Sequence, residues 1–102
     1  MTSGERFLYL PDVPTVAESG FPGFEGVGWG GLYAPAQTPK PIINKIAAAA
    51  AQAYKTDELK QAMKARKVEI IESTPELFAN FVVQERKKWA KVIQESNIKL
   101  EP

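Results

Sequence analysis

Residues 10–41 read LPDVPTVAESGFPGFEGVGWGGLYAPAQTPKP, and this stretch decides how the rest of the chain is to be read. Six of the seven glycines lie between Gly20 and Gly31, and no glycine occurs from Lys40 onward. Seven of the eight prolines precede residue 76. The first forty residues therefore read as turns and short extended pieces, and the remainder as helix-rich. Thr15 is placed as an N-cap, with Glu18 three residues on completing a capping box and Gly20 closing a short helix. Val27–Ala34 reads as a strand, with Val27, Trp29, Gly31 and Tyr33 on one face and Gly28, Gly30, Leu32 and Ala34 on the other. Glycine inside a strand weakens it and marks close approach of backbone, a ligand or a bend.

Outward from this stretch, Phe7–Leu10 reads as a short strand ended by Pro11, and Val68–Glu72 as another. Thr38-Pro39 opens a first long helix with threonine as N-cap and proline at the first helical position. Ile42, Ile43, Ile46, Ala47, Ala50 and Ala53 form its apolar stripe. Thr56, Asp57 and Glu58 start a second helix, whose inner face is Leu59, Ala62 and Met63 and which frays at Arg66-Lys67. Thr74-Pro75-Glu76 starts the last helix, with Phe78, Phe81, Val82, Trp89, Val92 and Ile93 as its buried face and Ser96-Asn97 as its end. The order of elements is that of an α/β fold, helix-rich with a few short strands. Three short strands make a poor sheet alone, so further strands are either missing from this chain or supplied by a partner.

Composition narrows the function classes. The 102 residues are 44% hydrophobic and 25% charged, as in an ordinary globular domain. The net charge of +1 supplies no global field for nucleic acid or an anionic membrane. The chain has neither cysteine nor histidine, which removes thiol chemistry, thiolate metal sites and the side chain most used as a base near neutral pH. Asp12, Glu18 and Glu25 show no catalytic or metal-like spacing, so the sequence reads as a non-enzyme with no cofactor and no metal. The basic cluster Arg86, Lys87, Lys88 and Lys91 is interrupted by Glu85 and Glu95 and reads as a solvated helix face, not a nucleic-acid site. The longest apolar run, Ile46–Ala51, is far short of a membrane span, which needs about 20 residues. Residues 1–10 lack the apolar core of a signal peptide, so a complete gene product of this sequence would stay in the cytoplasm.

The motifs then converge on a family. Residues 10–20, LPDVPTVAESG, resemble a segment of the Bug family, the extracytoplasmic solute-binding receptors of tripartite tricarboxylate transporters. Gly28-Trp29-Gly30-Gly31-Leu32-Tyr33-Ala34-Pro35, Thr38-Pro39-Lys40-Pro41-Ile42, Thr74-Pro75-Glu76-Leu77-Phe78 and the Trp89 region follow in family order, so the resemblance covers almost the whole chain. It implies the C-terminal part of a bilobal, type II periplasmic-binding-protein-like fold. On that reading residues 1–26 end the second lobe and form a linker, and 27–102 supply a crossover strand and the C-terminal helical part of the first lobe. The resemblance further implies a small carboxylate ligand, membrane transporter subunits as partners and a periplasmic full-length parent. Relatives carry glycine before the Val68 strand where this chain has Arg66-Lys67, so that turn is expected to be made differently.

For carboxylate capture the useful devices are backbone N–H groups at helix starts and in glycine turns. They single out Pro14, Thr15, Gly28 and Trp29 as substrate-binding residues. Each has a blander reading: Thr15 and Glu18 as a cap, and Trp29 as a core or hinge residue, not a cleft wall. The alternative function is a stand-alone fragment that self-associates, as a homodimer, through exposed strand edges and apolar helix faces and binds no ligand.

Overall fold

The computed structural model describes residues 1–101 and contains three helices: α1 (Lys40–Tyr54), α2 (Asp57–Ala65) and α3 (Pro75–Glu95). Among the described residues there is no β-strand, so the expected short strands are corrected. Phe7–Leu10 is a turn closed by the Leu10 N–H on the Phe7 carbonyl (3.0 Å). Residues 27–34 and 68–72 run without regular structure and without a ladder. A strand is defined by its neighbour, and cross-strand side-chain pairs stabilise it. The glycines at 28, 30 and 31 offer none. Residues 16–20 form turns, not the expected short helix, since so short a segment cannot repay the cost of helix nucleation.

The helix starts follow from where proline removes donors. Were Thr38 the N-cap of α1, its hydroxyl would face an N3 position held by Pro41, which has no N–H. The cap is instead Pro39, with no side-chain cap bond; its carbonyl accepts from the N–H groups of Ile42 (3.0 Å) and Ile43 (3.2 Å). In α3 the same Thr-Pro pair is one residue better placed. Thr74 is the N-cap, its hydroxyl accepts from the Leu77 N–H (3.2 Å), Pro75 opens the first turn and Glu76 places negative charge at the positive helix end.

Both later helices end in a Schellman motif. After α2 the Val68 N–H bonds the Met63 carbonyl (3.0 Å) and the Lys67 N–H the Lys64 carbonyl (3.1 Å), with Lys67 at φ 56. After α3 the Ile98 N–H bonds the Ile93 carbonyl (3.0 Å) and the Asn97 N–H the Gln94 carbonyl (3.2 Å), with Asn97 at φ 51. The turn before Val68 is thus the usual left-handed cap with lysine in the glycine position, not a different turn. The Lys67 ammonium lies 5.0 Å from the centroid of the Tyr9 ring.

The chain divides into two units. One holds residues 1–37 with 57–70; the other holds 38–56 and the chain from Ile71 on. In the second unit α1 packs against α3. Ile43, Ala47, Ala50 and Tyr54 are half-buried on α1, and Phe78 and Val82 on α3, both at the three-and-four spacing of a helix seam.

The expected cores are not closed. No hydrophobic residue among those described is buried, and Thr15 is the single buried residue, at 1% exposure. Of the face assigned to α3, Trp89 is 40% exposed and Ile93 49%. The accessible surface is 8802 Å². Two separate folded bodies of half this mass each would together expose about 6,900 Å². The apolar stripes are present as stripes, but none of their residues is buried among the described residues.

Candidate functional site

The substrate-binding residues expected from sequence all fall in the first unit, as two neighbouring pairs. Pro14 and Thr15 sit at the mouth of the turn over residues 15–20. The capping box is formed in full: the Glu18 N–H donates to the Thr15 hydroxyl (3.1 Å), and the Thr15 N–H donates to the Glu18 carboxylate (2.8 Å). The Ser19 hydroxyl adds a bond to the Thr15 carbonyl (2.8 Å). Gly20 then turns the chain at φ 109, a conformation that glycine adopts without steric cost.

Arg6 completes this turn, and sequence reasoning did not single it out. Its Nε donates to both Glu18 carboxylate oxygens (3.1 and 3.0 Å), and its Nη1 donates to the Pro11 carbonyl (3.1 Å). The Thr15 N–H bond, followed by Arg6, holds the Glu18 carboxyl below the usual glutamate range. An arginine twelve residues before a capping-box glutamate follows no helical or strand period. The one available signal was the unbalanced carboxylate of the box itself.

The second pair, Gly28 and Trp29, is exposed on an irregular segment that begins beside the turn. The first two residues of the chain hold both stretches. The Met1 carbonyl accepts from the Val16 N–H (2.9 Å), and the Thr2 carbonyl accepts from the Gly26 N–H (2.7 Å). The Met1 amino group donates to the Pro14 carbonyl (3.1 Å). A Cβ placed on Gly28 would meet nothing within 4 Å, so the backbone there is open to approach. Trp29 is 40% exposed.

Chemically, this arrangement is a turn whose donors and acceptors are paired with one another. The Thr15, Val16 and Glu18 N–H groups are already engaged, so the donors that first drew attention to the turn serve its own structure. Among the described residues no group of three or more His, Cys, Asp or Glu is placed to hold a metal ion. On α3, Lys88 pairs with Glu85 (3.4 Å) and Lys91 with Glu95 (3.9 Å). No described helix is long and apolar enough to cross a membrane.

Comparison with known proteins now fixes the class. Residues 1–98 match the tripartite tricarboxylate transporter family receptor, and the chain belongs to that family. A UPF0065 protein in the tcbD-tcbE intergenic region of Pseudomonas sp. (strain P51) is 34% identical over 96 residues, 93% of this chain and 29% of the relative. Protein BugT of Bordetella pertussis is 31% identical over 98 residues, 96% of this chain and 30% of the relative. A UPF0065 protein in the TAR-I ttuE-ttuC' intergenic region of Agrobacterium vitis is 46% identical over 55 residues, 54% of this chain and 16% of the relative. The chain thus spans less than a third of the length of these relatives. No solved structure matches it. The family implies a periplasmic-binding-protein-like fold, of which these residues form a helix-rich part without strands of its own.

Proposed function

We propose that this chain is the C-terminal part of a solute-binding receptor that captures small carboxylates outside the cytoplasmic membrane and delivers them to membrane transporter subunits. The family match over residues 1–98 carries this reading. In the receptor, residues 1–26 end the second lobe and its linker, and 27–102 contribute the crossover and the helical part of the first lobe. The receptor acts by binding and carries out no covalent chemistry.

The proposed roles follow from what each residue has to offer. Pro14 forms a rigid rim and the buried Thr15 holds it in place, because the Arg6–Glu18 pair and the capping box fix the turn on which they stand. Gly28 lets a ligand carboxylate reach main-chain N–H groups, alone or through bridging water. Trp29 offers an aromatic wall to the carbon skeleton of the acid. With less than a third of a receptor's length present, the chain holds part of the cleft, and millimolar affinity is the scale to expect, about −4 kcal/mol.

The test is a two-dimensional NMR titration of the 102-residue chain with succinate, citrate and benzoate against sodium chloride at matched ionic strength. Carboxylate-specific shifts should gather at residues 13–16 and 28–31. Shifts confined to the basic positions of α3, or identical to those from chloride, would refute the site.

A further inference from the structure

The run of residues 1–6 is bonded to both halves of the candidate site. Met1 bonds to the residues on either side of Thr15. Its nitrogen donates to the Pro14 carbonyl (3.1 Å), and its carbonyl accepts from the Val16 N–H (2.9 Å). This is the bonding pattern of a parallel pair, one residue long. Thr15, opposite Met1 in that pair, is the single buried residue among those described. The next residue turns to the other half, where the Thr2 carbonyl accepts from the Gly26 N–H (2.7 Å). Gly4 runs beside the same stretch, since a Cβ there would come within 3.1 Å of the Glu25 carboxylate. At Arg6 the run returns to the turn, through Glu18 and the Pro11 carbonyl. Gly26 lies two residues before Gly28, so its bond to Thr2 fixes the point from which Gly28 and Trp29 are presented.

We propose that residues 1 and 2 couple the Pro14–Thr15 turn and the Gly28–Trp29 segment into one cooperative unit, with Gly26 as the positioning residue that sets their spacing. The inference rests on the site proposed above for where a ligand sits, whereas the coupling itself needs no ligand. Three observations carry it. First, the two anchoring carbonyls are consecutive, so only the two soft dihedrals of Thr2 separate the bond to Val16 from the bond to Gly26. Second, the turn has little slack of its own. The capping box and Arg6 hold Thr15 and Glu18, so a displacement of Met1 is passed on to the box. Third, residues 27–34 have no regular structure of their own, so the anchor at Gly26 governs where the segment starts. A ligand that touches both halves binds best when their spacing is set beforehand, because less freedom is then lost on binding.

Native-state hydrogen exchange of the ligand-free 102-residue chain tests the coupling in both directions. Gly26→Pro removes the N–H that Thr2 accepts. The Val16 amide keeps its own bond to Met1, yet its exchange should quicken about fivefold, the scale of one lost main-chain bond. Thr15→Val removes the capping hydroxyl and should quicken Gly26 exchange by about the same factor. Thr2→Ala leaves both carbonyls in place and should stay within about twofold of the wild type at both amides. The Val68 amide, in the same unit and bonded to Met63, should hold within about twofold in every variant, which separates lost coupling from lost fold. If Gly26→Pro shifts Val68 as well, the Thr15→Val arm decides. A Val16 amide indifferent to Gly26→Pro, a Gly26 amide indifferent to Thr15→Val, or Val68 moving with them in both variants would each overturn the coupling. A succinate titration followed by NMR then reads the positioning role. Residues 13–16 and 28–31 should share one midpoint in the wild type and part by about threefold or more in Gly26→Pro. A common midpoint kept in Gly26→Pro would overturn the positioning role. Absence of carboxylate-specific shifts in the wild type would instead overturn the site, with the coupling decided by the exchange result.

Discussion

Lys67 offers the sharpest test of how this chain's local structure is balanced. It holds the left-handed position that ends α2, at φ 56, where an L-residue other than glycine is strained by about 1 to 2 kcal/mol. Lys67→Gly relieves that strain but adds freedom to the unfolded chain, which costs about 0.5 to 1 kcal/mol. It also removes the ammonium from the Tyr9 ring 5.0 Å away, worth about 0.5 to 1 kcal/mol at an exposed site. The three terms nearly cancel, so Lys67→Gly alone should change little. On a Tyr9→Leu background, with no cation–π contact left to lose, the same substitution should stabilise the turn by about 0.5 to 1 kcal/mol. Lys67→Ala keeps the strain and loses the contact, and should destabilise it. The readout is hydrogen exchange of the Val68 amide, whose bond to the Met63 carbonyl closes the motif. Its protection should stay within about twofold in Lys67→Gly and rise about two- to fivefold when that change is made in Tyr9→Leu. A rise of tenfold or more from Lys67→Gly alone, or strict additivity across the cycle, would refute the claim that Tyr9 offsets the strain at Lys67.

Two further outcomes follow from the caps. Thr74→Ala removes the hydroxyl that accepts from the Leu77 N–H and should weaken the start of α3 by about 1 kcal/mol, seen as faster Leu77 amide exchange and lower helicity, whereas Thr38→Ala should leave α1 unchanged because Thr38 makes no cap bond. Glu18 is held below the ordinary glutamate range by the Thr15 N–H first and Arg6 second, so its contribution to the turn is complete above the ordinary glutamate value and is lost as pH falls through its own lower one. The Thr15 amide shift should report that low midpoint, and Arg6→Gln should raise it only part of the way; a wild-type midpoint at or above the ordinary glutamate range would contradict the assignment.

What could be read from the sequence divides along a physical line. Signals carried by a few adjacent residues were legible: the Thr15/Glu18 box, the Thr74 cap and the left-handed Asn97 all appear as their side chains dictate. Thr38 failed because Pro41 removes the N–H its hydroxyl needed, a fact also present in the sequence but hidden by the likeness to Thr74-Pro75. The strands failed for a different reason. Val27–Ala34 has the alternation of a strand, but a ladder requires a second chain segment, and alternation cannot reveal whether one is supplied. The same holds for α3, whose apolar stripe is real while Trp89 and Ile93 on it stay exposed. Within the site, the capping residues were legible, and Arg6 was not, since its partner lies twelve residues away along an aperiodic path. Gly28 and Trp29 could be picked by composition and family motif, and the capping box read from the sequence already commits the Thr15 N–H to Glu18.

The central claim is that these 102 residues carry part of a carboxylate receptor's cleft and complete it only with polypeptide beyond them. Isothermal titration calorimetry of the chain with succinate, citrate and benzoate tests this directly. The account predicts no saturation below millimolar concentrations for any of the three. One-to-one binding at micromolar affinity or tighter would contradict it, because the cleft would then be complete within this chain.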